Sequence, residues 1–225
     1  MKVLALDTAT EACSAALLVD GEVIDRYEVL GRGHAEHLLP MVQEVLAEGG
    51  VALSALDGIA FGRGPGSFTG LRIGAGVAQG LAFGAGLRVA PVSDLAALAA
   101  HAAVHRKSRF VLACLDARMA QVYWSAFDCE DPDAPRPLVR EAVADPATVF
   151  LPGEAPQFFG AGHGLSAYPA LHTLLGDRLA GYDPGLLPRA REVALLGARI
   201  HATGGSVDPE LAVPVYLRDQ VAHRK

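Results

Sequence analysis

Two hydrophobic periods alternate along the chain and mark out its elements. Val3 to Leu6 is an aliphatic run that stops at Asp7. Thr8-Ala9-Thr10-Glu11 then reads as a polar turn, and Cys13 to Val19 as a second strand. Asp20-Gly21 is a hairpin dipeptide, because both residue types tolerate positive φ, and it leads into a third strand over Glu22–Leu30. The period then changes. Leu38, Met41, Val42 and Val45 recur at i, i+3, i+4 and i+7, with Leu39 and Leu46 widening the stripe, so a helix is predicted over His34–Glu48. Pro40 lacks an N–H, which predicts either a first-turn position or a kink. Ile59 to Phe61 is a short strand, and Ser67 is placed to cap a helix from about Phe68 to Phe83. A strand over Arg88–Val92 follows, then Ser93 as cap of a helix running towards His101.

After His105-Arg106-Lys107 the pattern restarts. Phe110 to Leu115 is a strand ending at Asp116; Ala117-Arg118-Met119 turns, and Val122 to Phe127 returns. Asp131 to Pro137, rich in Pro and Asp, reads as a loop. Phe158 to Gly164 reads as a strand end and a glycine turn, Arg189 to His201 as a helix, and Val213 to Leu217 as an extended segment around Pro214. Leu6-Asp7-Thr8-Ala9 and Leu115-Asp116-Ala117-Arg118 both place an Asp where a strand meets its hairpin turn. Such a repeat predicts a duplicated α/β unit: the actin-like (ASKHA) ATPase fold, with lobes over 1–104 and 105–225 whose turns face each other across a nucleotide cleft.

Composition narrows the setting. With 225 residues, 51% hydrophobic and 20% charged, the chain can bury a sizeable core and lacks the signature of disorder. No apolar run approaches the roughly 20 residues of a membrane helix, and Asp7 interrupts the only N-terminal candidate for a signal peptide. Cys13, Cys114 and Cys129 show no C-x-x-C spacing, which predicts a reducing compartment and hence a cytoplasmic protein. A formal net charge of −6 and a pI near 5.7 argue against the chain gripping RNA by itself. Its basic residues are scattered, apart from His105-Arg106-Lys107 and the Arg224-Lys225 end.

Three segments carry candidate chemistry. In an actin-like fold Asp7, Thr8 and Thr10, with Asp116 opposite, would hold phosphates and a hydrated metal. Ala9 stands where a glycine would let the phosphate approach, so this nucleotide site is expected to be weak or vestigial. His34 and His37 lie at i, i+3 rather than the i, i+4 of H-E-x-x-H, which argues against a peptidase metal site. Gly62-Arg63-Gly64-Pro65-Gly66-Ser67 lacks the Lys of a Walker loop and reads as a tight strand-to-helix turn. The helix that follows has small residues at Gly70, Gly74 and Ala78, which predicts close approach of another element along that side. Opposite them lie Phe68, Arg72, Ala75, Gln79 and Phe83, a credible protein interface.

The segment Gly64-Pro65-Gly66-Ser67-Phe68-Thr69-Gly70-Leu71-Arg72-Ile73-Gly74 resembles the TsaB (YeaZ) family. So do Leu6–Thr10, His34–Pro40, Pro91–Leu95, Leu115–Arg118 and Pro214–Arg218, in the same order. The resemblance implies an actin-like fold and a place in the tRNA threonylcarbamoyladenosine pathway. It implies a non-catalytic subunit that pairs with TsaD and the small ATPase TsaE while TsaD transfers threonylcarbamoyl to the adenosine next to the anticodon. It implies no cofactor for this chain alone, leaves ATP binding in the complex open, and brings tRNA in only through the complex. TsaD of that family binds its metal through a His-x-x-x-His helix, whereas His34 and His37 have two residues between them. The partner surface is expected on His34, Leu38, Met41, Val42 and Val45 of one helix and on Phe68, Leu71, Arg72, Ala75 and Gln79 of the next. The same surface would allow a homodimer. The rival class is an enzyme: a metal-dependent peptidase on His34 and His37, or an ATPase on Asp7 and Asp116.

Overall fold

The computed structural model describes residues 1–153, 155 and 157–218; the basic end Arg224-Lys225 lies outside the described residues. The N-terminal half runs β1 (Val3–Asp7), β2 (Ala12–Val19), β3 (Glu22–Val29), α1 (His34–Glu48), β4 (Gly58–Gly62), α2 (Phe68–Ala85), β5 (Val89–Val92) and α3 (Asp94–Arg106). The second half runs β6 (Phe110–Arg118), β7 (Gln121–Asp128), β8 (Arg136–Pro137), β9 (Ala142–Ala144), β10 (Phe158–Ala161), α4 (Gly164–Ala167), α5 (Ala170–Leu175), β11 (Leu179–Asp183) and α6 (Ala190–Ala202). No described helix is long and apolar enough to cross a membrane.

The first sheet has the order β3-β2-β1-β4-β5, with β1–β2–β3 an antiparallel meander and β4 and β5 parallel to β1. The second has the order β11-β10-β6-β7-β8, with β9 also on β7 and with β10 and β11 parallel to β6. Each sheet is therefore a hairpin-led unit extended by two parallel strands. The expected duplication is present.

β1 reads as continuously apolar because the sheet is covered on both faces. Leu4 and Leu6 pack with Leu38, Val42, Val45 and Ala78 from α1 and α2. Val3 and Ala5, pointing the other way, pack with Ala190, Val193 and Ala194 from α6. Thus the chain's last helix returns to the first sheet, and the second lobe does not run unbroken over 105–225. Its sheet ends at Asp183. The alanine-rich α3 sits between the sheets: Leu95, Leu98, Ala99 and Ala102 meet Val111, Ala113 and Phe127 of the second sheet. Ser67 and Ser93 cap α2 and α3 as expected, accepting from the N–H of Gly70 and Ala96. Pro40 sits inside α1, past its first turn, on an exposed side.

Candidate functional site: the cleft between the lobes

The two Asp-ended turns face one cleft of about 1210 Å³. Thr10 and Asp116 line it, together with Glu11, Arg118 and His163. Asp7 and Thr8 do not. They are 1% and 2% exposed, and they lie under the floor because the start of α2 seals the first turn. Ser67 N–H donates to the Ala9 carbonyl at 2.7 Å, and Thr8 Oγ1 donates to the Gly70 carbonyl at 2.8 Å. Backbone runs so close to backbone that a Cβ on Gly66 would stand 2.3 Å from Ala9 O, and one on Gly70 would stand 2.0 Å from Thr8 O. The glycines of this segment therefore serve a turn-on-turn contact, and the partner of the small-residue groove is the first hairpin turn. Ala9 N–H is also taken, by Asp7 Oδ1 at 2.9 Å. The expected phosphate turn is filled with the chain's own atoms, which corrects the placement of Asp7 and Thr8 as ligand contacts.

Beneath the turn Asp7 meets Asp94, which is fully buried. Asp94 Oδ2 accepts from Gly64 N–H, and Asp7 Oδ2 and Asp94 Oδ1 have no other partner. Burial raises both carboxyls above their ordinary range, and the charge of Asp7 pushes Asp94 further up. A single proton shared between the facing oxygens satisfies both, since two adjacent buried carboxylates cannot both ionise. Gly62 makes room for them: a Cβ there would stand 2.3 Å from Asp94 Oδ1 and 2.9 Å from Asp7 Oδ2. In the sequence Asp94 reads as an ordinary acidic residue at a helix start. Only the fold brings it to Asp7.

The second turn is organised differently. Asp116 Oδ1 accepts from Arg118 N–H at 2.8 Å and from Tyr168 Oη at 3.0 Å. Asp116 N–H donates to His163 Nδ1 at 2.9 Å, so the proton of the neutral ring resides on Nε2, 3.6 Å from Glu11 of the first turn. Burial lowers the His163 pKa, with Glu11 and Asp116 opposing it. His163 and Glu11 thus span the cleft between the lobes.

His34 and His37 diverge. His34 Nε2 lies 2.9 Å from Thr10 O and 3.2 Å from Ala12 O, tying α1 to the first turn, while the His37 ring lies 3.5 Å from Glu28. Among the described residues, no group of three or more His, Cys, Asp or Glu side chains is arranged to hold a metal ion. The three thiols are buried and free, and burial pushes each up to about 12, which leaves them unreactive.

The expected partner surface needs correcting residue by residue. His34, Leu38, Met41, Val42 and Val45 all point inward, between 0% and 9% exposed, because the i, i+3, i+4, i+7 stripe is α1's contact with its own sheet. Ala75 is likewise buried on that sheet, and Leu71 is buried against the loop at Gly64. Gln79 Nε2 is bonded to Ala212 O at 3.2 Å. Phe68 and Arg72 are exposed, but at the cleft. What α2 offers outward instead is Gly76, Gly80, Phe83 and Gly84, and the adjoining α1 exposes Leu39, Pro40 and Ala47.

Two like sheets, each led by a hairpin whose first strand carries an Asp at or near its end (Asp7 last in β1, Asp116 two residues before the end of β6), around a cleft that both turns line, define an actin-like ATPase-type fold. Comparison with known proteins narrows this. Residues 27–158 match the family model of TsaD, tRNA N6-adenosine threonylcarbamoyltransferase. The chain is 42% identical to the tRNA threonylcarbamoyladenosine biosynthesis protein TsaB of Escherichia coli, covering 100% of this chain and 98% of that one. It is 39% identical to TsaB of Haemophilus influenzae, covering 100% and 97%. The solved structure of YeaZ from Pseudomonas aeruginosa superposes with a TM-score of 0.90 at 47% identity, covering 96% of this chain and 99% of that one. The chain belongs to the TsaB (YeaZ) family of tRNA threonylcarbamoyladenosine biosynthesis proteins.

Proposed function

We propose that this chain is a non-catalytic, cytoplasmic subunit that pairs with TsaD, and through the pair with TsaE, during transfer of threonylcarbamoyl to the adenosine next to the anticodon of tRNA. The observation that carries this reading is the exposed face of α2. Gly76, Gly80 and Gly84 recur every four residues, and a Cβ on any of them would meet nothing within 4 Å. Each glycine costs about 1 kcal/mol of helix propensity relative to alanine, and the monomer gains no packing in return. A second helix drawn close to that ridge supplies the return. Phe83, 81% exposed, lies on the same face of α2, and Leu39 of the adjoining α1, 44% exposed, is a further exposed apolar side chain.

The sealed first turn supports the non-catalytic part of the reading. With Ala9 N–H and the start of α2 already engaged, a triphosphate has no turn to bind, and hydrolysis of ATP by the isolated chain is expected to be absent. No cofactor is required by the chain alone. The same ridge permits a homodimer, which then competes with TsaD for one surface.

Ala75 is buried and cannot report on this surface; Gly80 can. Gly80→Glu places a carboxylate in open space, so circular dichroism is expected to show a folded protein. Docking would bury that charge without a partner, at a cost on the order of 3–5 kcal/mol, and co-purification with TsaD is expected to weaken more than a hundredfold. Undiminished TsaD binding by folded Gly80→Glu protein moves the interface elsewhere. In reconstitution with TsaD, TsaE and threonylcarbamoyl-adenylate, omission of this chain is expected to abolish modification.

A further inference from the structure

We infer that the rim of the interlobe cleft is a binding site for a single strand of RNA, contacted directly by this chain. The inference rests on the reading above for the identity of the RNA and stands on separate residues. Four arginines line the cleft; Arg118 is paired with Asp116, which leaves three, Arg32 ahead of α1, Arg72 on α2 and Arg218 beyond α6. Among the described residues none of the three has a carboxylate partner, in a chain whose net charge is −6 and where most other arginines are paired. Arg218 is held in place by the carbonyl of Ala117 at 2.9 Å and Gln121 Oε1 at 2.7 Å. Those bonds orient the guanidinium without neutralising it. Of the cleft's acids, Asp116 is paired with Arg118 and bonded to Tyr168, while Glu11 lies beside the neutral His163 ring, which orients it without neutralising it. Glu36 alone stands free of such a contact among the described residues.

Beside these cations lie two exposed rings. Phe68 is 56% and Tyr216 41% exposed, with centroids 5.4 Å apart. The Arg72 guanidinium lies 3.8 Å from the Phe68 centroid and its Nε donates to Tyr216 Oη at 3.1 Å. A cation-and-aromatic cluster, its two rings tilted by 39°, beside guanidiniums without carboxylate partners matches how unstacked bases and their phosphates are held together. An acidic peptide would use the cations and leave the rings idle. A free nucleoside triphosphate would need the turn over Thr8 and Ala9, which is sealed. At about 1210 Å³ the cleft also exceeds the roughly 300–1,000 Å³ typical for one small ligand.

The test is fluorescence anisotropy of a labelled single-stranded oligoribonucleotide of about a dozen nucleotides with the full-length isolated chain, at two salt concentrations. Saturable binding that weakens with salt is expected. Arg32→Glu with Arg72→Glu is expected to lower affinity at least about tenfold and to reduce the salt slope by about 1 for each phosphate no longer neutralised. Phe68→Ala is expected to lower affinity at least about fivefold. Arg199→Glu, on α6 and outside the cleft, is the control and is expected to bind as the parent does. Circular dichroism checks that each variant is folded. No binding by the parent, or unchanged binding by the folded double variant, overturns the inference. Displacement of the RNA equally well by ATP, or equally well by polyglutamate, overturns it in favour of a mononucleotide or an acidic polymer. TsaD capture is read separately through Gly80, so RNA binding that fails while TsaD pairing succeeds defeats this inference alone.

Discussion

At the end of β1 the chain turns through Thr8, Ala9, Thr10 and Glu11; at the end of β6, the equivalent place in the second sheet, it turns through Arg118, Met119 and Ala120. Both turns follow an Asp and both are approached by a glycine segment that leaves the neighbouring parallel strand. After β4 that segment enters the 18-residue α2, which lies across the first turn and buries it. After β10 the segment Gly162-His163-Gly164 enters the four-residue α4. Gly162 still comes close, since a Cβ there would stand 2.4 Å from Cys114 O. Beyond it, only side chains reach the turn, the His163 ring and the Tyr168 hydroxyl, both at Asp116. The first Asp is thus roofed over and shares a proton with Asp94. The second stays at the cleft, bonded to a tyrosine and an arginine. The same arrangement gives a floor in one lobe, under the 18-residue α2, and a lip in the other, beside the four-residue α4.

The sharpest way to break the floor is Gly70→Ala. The added Cβ meets a backbone carbonyl at 2.0 Å, and neither turn nor helix can retreat without losing the bonds from Ser67 and Thr8. Overpacking of this kind costs about 3 kcal/mol, of which the better helix propensity of alanine returns about 1 kcal/mol. Gly80→Ala, in open space on the same helix, lacks the clash and is expected to stabilise by about 1 kcal/mol. Urea denaturation of the two variants side by side measures both. Equal effects would mean that the turn is not sealed as described.

Next in size is the buried carboxyl pair. Asp94→Ala leaves Gly64 N–H and Asp7 Oδ2 without a partner, a loss of about 2 kcal/mol. Asp94→Asn restores a donor to Asp7 and an acceptor for Gly64 and is expected to recover most of it. The pH dependence follows from the raised carboxyls. Folded protein retains a proton that the unfolded chain releases above about 3.8. The pair's contribution is therefore full at acid pH and is lost as pH rises towards the folded value. In Asp94→Asn that decline is expected to flatten at pH values above about 3.8. A parent whose stability is level across that range would mean that no proton is shared.

Much of this comparison was legible in the residues. The strand-Asp-turn-strand pattern recurs at Leu6–Ala9 and Leu115–Arg118, and caps at Ser67 and Ser93 obey local rules, so the duplication and most helix starts follow from neighbours in sequence. The failures are all long-range. Leu38, Met41, Val42 and Val45 form a helical stripe whichever way the helix faces, and periodicity alone does not say whether a sheet or a partner covers it. Gly70 and Gly74 announce a close approach without naming what approaches, which is Thr8, some 62 positions away. Asp94, Tyr168 and Tyr216 reach the site only through the order of strands. Likewise α6, which follows the second sheet in sequence, is drawn back to the first because its apolar stripe completes that sheet's uncovered face.

The lip offers the smallest effect and the finest test of the contrast. Arg118, Met119 and Ala120 all have positive φ, at 61°, 54° and 57°, where a side chain with a Cβ is strained by roughly 1–2 kcal/mol per residue. Met119 is 77% exposed, so its side chain contributes little burial in exchange. Met119→Gly removes the strain at that position. It also adds unfolded-state freedom worth about 0.5–1 kcal/mol, and the net is a gain of about 0.5–1 kcal/mol, against the loss expected at Gly70. Glycine is thus forbidden a side chain in the first turn's cover, while in the second turn a side chain is carried where glycine would sit more easily. Thermal and urea denaturation of Met119→Gly decide the point. Destabilisation by more than about 1 kcal/mol would show that Met119 packs against something in the free protein, and the lip would then be as closed as the floor.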